Sequence, residues 1–258
     1  MSALQIHQFP CRSDNFGVLV HDPETGATVA IDAPEEAAMM AALVETGWQL
    51  TDIFITHHHA DHTDGVAALK SAFKPRIVGP RAEADKIANL DVLVSEGDSF
   101  SFGGKLVEII DTPGHTLGHI AYVIRSEAVV FAGDTLFALG CGRIIEGTPE
   151  QMWTSLQKLA ALPPETKVYC GHEYTLANGH FAVTVDQDNA HLLQRMVHVQ
   201  DLRAGDKATL PTTIGEELQT NPFLRATAPE VKAALGMPGG SDLAVFTRLR
   251  QMKNDFKG

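Results

Sequence analysis

Residues 52–65 read DIFITHHHADHTDG, and the fold of the chain turns on them. The run DIFI has the length and composition of a short buried strand. The ten residues that follow it hold four histidines and two aspartates. Among them His57, His59, Asp61 and His62 form the pattern H-x-H-x-D-H. Alternate residues of an extended chain share a face, so His57 and His59 can point at one ion while Asp61 and His62 reach beyond it as the chain turns. That spacing suits two ions better than one. A purification tag would sit at a terminus without interleaved aspartate. A solvated histidine-rich loop is the plain alternative, and three other positions weigh against it.

His115 lies in DTPGHT just past the strand-like KLVEII, Asp134 ends FAGD just past AVV, and His172 lies in CGH just past TKVY. Each candidate follows an apolar strand by a few residues, which is where α/β folds assemble their sites. The seven candidates are His57, His59, Asp61, His62, His115, Asp134 and His172. Seven is too many for one tetrahedral zinc but suits two ions that share one carboxylate and keep room for solvent. Five imidazoles, two carboxylates and no thiolate would accept zinc, iron or manganese. His58 and His119 are expected to support or pack against the ligands.

On the N-terminal side, FGVLVHD and ATVAIDA around the turn PETG read as a hairpin, and PEEAAMMAALVETG reads as a helix that starts near Pro34 and ends at Gly47. Helical spacing recurs in DGVAALKSAF and at 149–161. Strands are expected at RIVG, VLVS, SFSF, KLVEII, IAYVIR, AVVFAG and TKVYCG. Mixed elements make the first 170 or so residues an α/β layered domain. Residues 186–257 show helical patterns and no convincing strand. Thr213 with Glu216 and Thr227 with Glu230 have capping-box spacing, and Ser241 is a candidate N-cap.

The chain has 258 residues, with 20 basic against 32 acidic side chains and a formal charge of -12. This balance argues against nucleic acid or an anionic membrane as partner. No run approaches 18 apolar residues and no signal peptide is recognisable, so the expected compartment is the cytoplasm. Cys11, Cys141 and Cys170 are too scattered for a disulfide framework or a C-x-x-C metal site.

In order along the chain, THHHADH, TPGHT, GDTLF and GHEYT resemble the metallo-β-lactamase superfamily. GCGRIIEGTP, TNPFLR and RQMKNDF resemble one family within it, the hydroxyacylglutathione hydrolases or glyoxalases II. The resemblance spans nearly the whole chain. It implies a four-layer αβ/βα sandwich over residues 1–174 with the metals at one edge of two facing sheets, then an all-helical substrate domain over 175–258. By motif match His57, His59 and His115 would hold one metal, Asp61, His62 and His172 the other, and Asp134 would bridge them. The implied cofactors are two divalent ions, zinc first, with iron or manganese as alternatives.

The implied reaction converts S-D-lactoylglutathione to glutathione and D-lactate in methylglyoxal detoxification. Metal-activated water is the nucleophile, and no catalytic residue is needed outside the ligands. Substrate contacts carry over to Arg143, Tyr174, Arg250 and Lys253. Arg143 stands where some members have lysine, which keeps the charge. Ile145 stands where some have an aromatic contact, which that position therefore lacks. The implied partner is a small glutathione thioester, bound by a monomer. An anionic peptide on an acidic protein needs local cations, and Arg248, Arg250, Lys253 and Lys257 crowd the last eleven residues. Competing readings are an iron-dependent sulfur dioxygenase, a β-lactamase or lactonase, and a metal protein without catalysis.

Overall fold

The computed structural model describes residues 3–257. The chain forms two compact units, one running to Asp111 and including Thr116–Gly133, the other made of Thr112–His115 and the chain from Asp134 onward.

The first unit opens with β1 (Gln5–Cys11), β2 (Asn15–His21) and β3 (Thr28–Ile31), an antiparallel set in which β2 and β3 are the expected hairpin. Asp22 shapes its turn, accepting hydrogen bonds from the Glu24 amide and the Thr25 hydroxyl. The spacing did not suggest β1. Pro10 and polar residues interrupt its pattern, and such a strand is tolerated because it lies at the sheet edge. The helix α1 (Glu36–Thr46) stops at Gly47, whose left-handed φ of 71° lets its N–H reach the Leu43 carbonyl. Then come β4 (Asp52–Phe54), α2 (Ala60–Thr63), α3 (Val66–Phe73), β5 (Arg76–Pro80) and β6 (Val92–Val94).

Strands β3 to β6 pair in parallel, which brings their carboxyl ends to one edge. Met39 and Leu43 of α1 and Leu69 of α3 pack on Leu19, Ile53 and Ile77, so one face of this sheet is covered by helices. To a second sheet this unit contributes the antiparallel strands β7 (Ser99–Phe102), β8 (Lys105–Asp111), β9 (Ile120–Ile124) and β10 (Val129–Gly133). Phe54 joins the two sheets, with its ring 5.0 Å from Phe100, 5.7 Å from Phe102 and 5.1 Å from Tyr122. The buried Tyr122 hydroxyl donates to the Ile55 carbonyl at 2.7 Å, so no polar group is stranded there.

The second unit holds the hairpin β11 (Leu136–Phe137) and β12 (Gly140–Cys141), then α4 (Pro149–Ala160) and β13 (Lys167–Cys170). A full capping box of Thr148 and Gln151 starts α4, a device that contributes about 1 kcal/mol. Its remaining elements are α5 (Thr175–Val185), α6 (Ala190–Ala204), β14 (Thr212–Thr213), α7 (Ile214–Thr220), α8 (Pro229–Ala234) and α9 (Asp242–Asp255). Among the described residues the helical expectation is therefore interrupted only by the two-residue β14, which pairs with β13. Thr213 and Ser241 cap α7 and α9 as expected, accepting from the amides of Glu216 and Ala244. Thr227 does not cap α8. Proline fits the first helical position because it lacks an N–H, so Pro229 sets the cap one residue later, at Ala228. Phe181 stacks on Phe223 at 6.0 Å, Phe223 meets Phe246 edge-on at 6.1 Å, and Trp153 of α4 lies 5.5 Å from Phe246.

Candidate metal centre

In the first unit the parallel register sets Ile31 beside Phe54, so the residues just past β3 and β4 are neighbours. Asp32 therefore meets the start of the histidine loop. Its carboxylate accepts from the Thr56 amide at 2.7 Å, the Thr56 hydroxyl at 2.8 Å and His62 Nδ1 at 2.8 Å. An ionised carboxylate can only accept, which makes His62 Nδ1 the donor and turns the Nε2 lone pair outward. Thr56 spends its single hydroxyl proton on Asp32, so it accepts from His57 Nδ1 at 3.0 Å and His57 Nε2 is likewise left as a lone pair. One buried aspartate thus sets the tautomers of two predicted ligands.

His57 Nε2 lies 3.1 Å from His59 Nδ1, and His62 Nε2 lies 3.7 Å from Asp61 Oδ2. Asn15 steadies Asp61 by donating to its carbonyl and carboxylate. His58 turns aside: its amide and Nδ1 both meet the buried Glu83 carboxylate, at 2.7 and 2.9 Å. The other Glu83 oxygen takes the Thr116 hydroxyl and the Gly118 amide. His119 is fully buried and stacks on His57 at 4.8 Å.

In the second unit three predicted ligands converge. Asp134 follows β10, and its Oδ2 lies 3.4 Å from His115 Nε2 and 3.3 Å from His172 Nε2. His115 Nδ1 donates to the Arg143 carbonyl at 2.8 Å, directing Nε2 toward Asp134. Gly114 has φ 145°, and a side chain there would bring its Cβ to 2.7 Å from Met152 Cβ; the DTPGHT turn needs that glycine. Separations of 3.3 and 3.4 Å exceed the usual hydrogen-bond length. They match the edge of a tetrahedron with metal–ligand bonds of about 2.0–2.1 Å, roughly 3.3 Å. The residues fit divalent ions on this spacing and on their chemistry. His57, His59, Asp61, His62, His115, Asp134 and His172 each belong to a group of His and carboxylate atoms able to hold a metal ion.

The predicted substrate residues lie in the second unit as well. Tyr174 is 37% exposed and stacks flat on the His172 ring at 4.7 Å. Arg143 is exposed, as is Ile145 at 59%. Arg250 is only 7% exposed, with its guanidinium 5.1 Å from the Phe223 ring. Its Nη1 donates to the Cys141 carbonyl at 2.7 Å, and its Nε has no hydrogen-bond partner among the described residues. Lys253 donates to the Ala177 carbonyl at 2.9 Å and lies over Phe181 and Phe256. Burial first, and then the Arg250 charge, push its ammonium down to about 8. Sequence reasoning missed Asp32, Glu83 and Asn15. Asp32 alone left a trace, as the acid near the end of the strand-like ATVAIDA.

The family model described as "Metallo-beta-lactamase superfamily" matches residues 22–172. Among solved structures, ETHE1 from Myxococcus xanthus superimposes with a TM-score of 0.68 at 27% identity, covering 96% of this chain and 90% of that one. TTHA1623 in a di-iron-bound form gives a TM-score of 0.58 at 28% identity, covering 81% of this chain and 95% of that one. Fold and ligand types together define a metallo-β-lactamase fold of mixed sheets and helices, followed by a helical C-terminal region.

A second family model, "Hydroxyacylglutathione hydrolase C-terminus", matches residues 173–256. A hydroxyacylglutathione hydrolase of Mesorhizobium japonicum is 55% identical over 254 residues, 98% of this chain and all of that protein. The chain belongs to the hydroxyacylglutathione hydrolase family of the metallo-β-lactamase superfamily.

Proposed function

We propose that the chain hydrolyses S-D-lactoylglutathione to glutathione and D-lactate. One observation carries this reading: the likeness to hydroxyacylglutathione hydrolases runs through both the ligand-bearing region and the helical region that holds Tyr174, Arg250 and Lys253. In this reading residues 1–174 form the catalytic domain and 175–258 the substrate domain. His57, His59 and His115 would hold one divalent ion, Asp61, His62 and His172 a second, and Asp134 would serve both. Zinc is the proposed metal for both positions.

When bound, paired divalent ions polarise a carbonyl and lower the pKa of water from 15.7 to about 7. The chain's own groups do the rest. Asp32, Thr56 and the Arg143 carbonyl hold the imidazoles in the ligating tautomer. Arg143, Arg250 and Lys253 offer cations to the peptide carboxylates on an otherwise acidic protein. Tyr174 offers a half-exposed ring beside His172. The leaving thiolate comes from a thiol of pKa near 8.5 and departs without a proton donor, so no general acid is required. No described helix is long and apolar enough to cross a membrane. A monomer in the cytoplasm completes the reading.

The test measures the metal content of the purified protein and then compares hydrolysis of S-D-lactoylglutathione with turnover of nitrocefin, a lactone, and glutathione persulfide with oxygen. The thioester should be preferred. Negligible thioesterase activity in metal-replete protein overturns the reading.

A further inference from the structure

The stretch TNPFLR, residues 220–225, stands out in the sequence, yet no step of the proposed hydrolysis uses it. Its asparagine meets a tight turn of the second unit. Strands β11 and β12 are two residues each, joined by Ala138 and Leu139, and Leu139 is held in the left-handed region at φ 57°. The whole hairpin is buried, with Leu139 packed among Ala182, Leu192 and Met196. So short a hairpin cannot pair all of its own backbone groups, and buried backbone groups must be paired.

Helix side chains supply the partners. Asn221 Nδ2 donates to the Phe137 and Gly140 carbonyls at 3.2 and 2.9 Å. Asn178 Nδ2 donates to the Ala138 carbonyl at 3.1 Å. Glu217 Oε2 accepts from the Leu139 amide at 2.8 Å, and Arg250 holds the Cys141 carbonyl. The frame is itself fixed. Glu217 Oε2 also accepts from Asn221 at 2.9 Å, while its Oε1 takes Arg195 Nη2 at 2.5 Å and the Thr212 hydroxyl at 2.7 Å. Asn221 Oδ1 accepts from the Phe223 amide at 3.0 Å. A Cβ on Gly140 would fall 2.3 Å from Asn178 Nδ2, so the fit admits only glycine.

The hairpin carries functional groups at both ends. Asp134 lies two residues before β11 and Arg143 two residues after β12. The Gly142 amide closes its base on the Thr135 carbonyl at 3.1 Å. Phe137 sets its ring edge-on to His172 and Tyr174, at 6.0 and 5.4 Å.

We propose that Asn221, backed by Glu217, is a positioning residue: it holds the 136–141 hairpin and thereby sets Asp134 for metal binding and Arg143 for substrate. This rests on the roles proposed above for Asp134 and Arg143.

The test compares Asn221→Asp, Asn221→Ala and Asn178→Ala. Asn221→Asp keeps the shape but turns a donor toward the Phe137, Gly140 and Glu217 oxygens into a further acceptor. The readouts are Zn2+ affinity by competition with a chelating dye, and KM and kcat for S-D-lactoylglutathione. Asn221→Asp should weaken Zn2+ binding about tenfold or more, the size seen when groups that orient ligands are lost, and raise KM several-fold. Asn221→Ala should do the same less severely. Asn178→Ala loses one bond, should shift both readouts slightly in the same direction, and decides the matter if the Asn221 variants do not fold.

Folded variants with lower thermal stability but wild-type Zn2+ affinity and KM would show a merely structural role and overturn the proposal. If the wild-type protein binds Zn2+ yet cleaves no thioester, the functional reading fails, and the Zn2+ arm alone still supports or overturns the positioning role.

Discussion

Replacing Asp32 with asparagine should disable two of the proposed metal ligands, His57 and His62. Alanine is the wrong probe. It would strand the Thr56 amide, the Thr56 hydroxyl and His62 Nδ1, three buried donors at about 1–3 kcal/mol each, which approaches the whole stability of a typical domain. Asparagine keeps an acceptor for the Thr56 amide, because the opposite flip would set donor against donor. Its amide nitrogen then takes the place of Oδ2 and donates toward both His62 Nδ1 and Thr56 Oγ1.

His62 must then accept at Nδ1 and carry its proton on Nε2, the atom proposed to ligate. The Thr56 proton swings to His57 Nδ1 and imposes the same inversion there. Loss of one group that orients a ligand costs about 10–100-fold in metal affinity, or roughly 1.4–2.7 kcal/mol. With two ligands inverted, the upper end of that range is expected. Zn2+ competition with a chelating dye measures the affinity, and imidazole nitrogen NMR of the apo protein reports the tautomers. Wild-type Zn2+ affinity in a folded Asp32→Asn protein would refute the tautomer argument, most plainly if His62 still carried its proton on Nδ1.

Three further outcomes are expected. If Lys253 pairs with a substrate carboxylate, kcat/KM should fall as pH rises through about 8, where the ammonium is lost; a KM that stays flat through that pH, or an unchanged KM in Lys253→Ala, counts against the contact. The sign for stability is the reverse: the folded-state value lies below the ordinary 10.5, so the unfolded chain holds more protons between the two and the fold gains stability as pH rises from about 8. Stripping the metal with a chelator should abolish activity and lower Tm, since a ligand at 1,000 times its Kd contributes about 4 kcal/mol; an unchanged Tm on removal would argue against tight binding. Burial pushes the Cys11 thiol up to about 12 and also raises Cys141 and Cys170, so all three should alkylate slowly in the native state and readily in denaturant; rapid native labelling would contradict their burial.

What could be read without coordinates was local. Gly47, Thr213 and Ser241 announce helix ends because a cap acts over three or four residues. The metal-binding residue types show because imidazole and carboxylate at strand ends have few other uses so densely placed. Thr227 misled at the same local scale, since Pro229 overrode its spacing.

By itself, then, the sequence determined the alternation of elements, the types of ligand and the kin of the chain, all of which reside in residue identity and short spacing. Only the tertiary fold shows which carboxylates orient the imidazoles. Asp32 reaches Thr56 across 24 positions, Glu83 reaches Gly118 across 35, and Asn221 reaches the Phe137 carbonyl across 84. Such partners leave no periodic trace, because strand register and helix packing, rather than neighbouring residues, bring them together. Arg250 shows the same division. Its identity marked it as a cation for the substrate, while the fold shows it also spending one donor on the Cys141 carbonyl, in the hairpin that runs from Asp134 to Arg143.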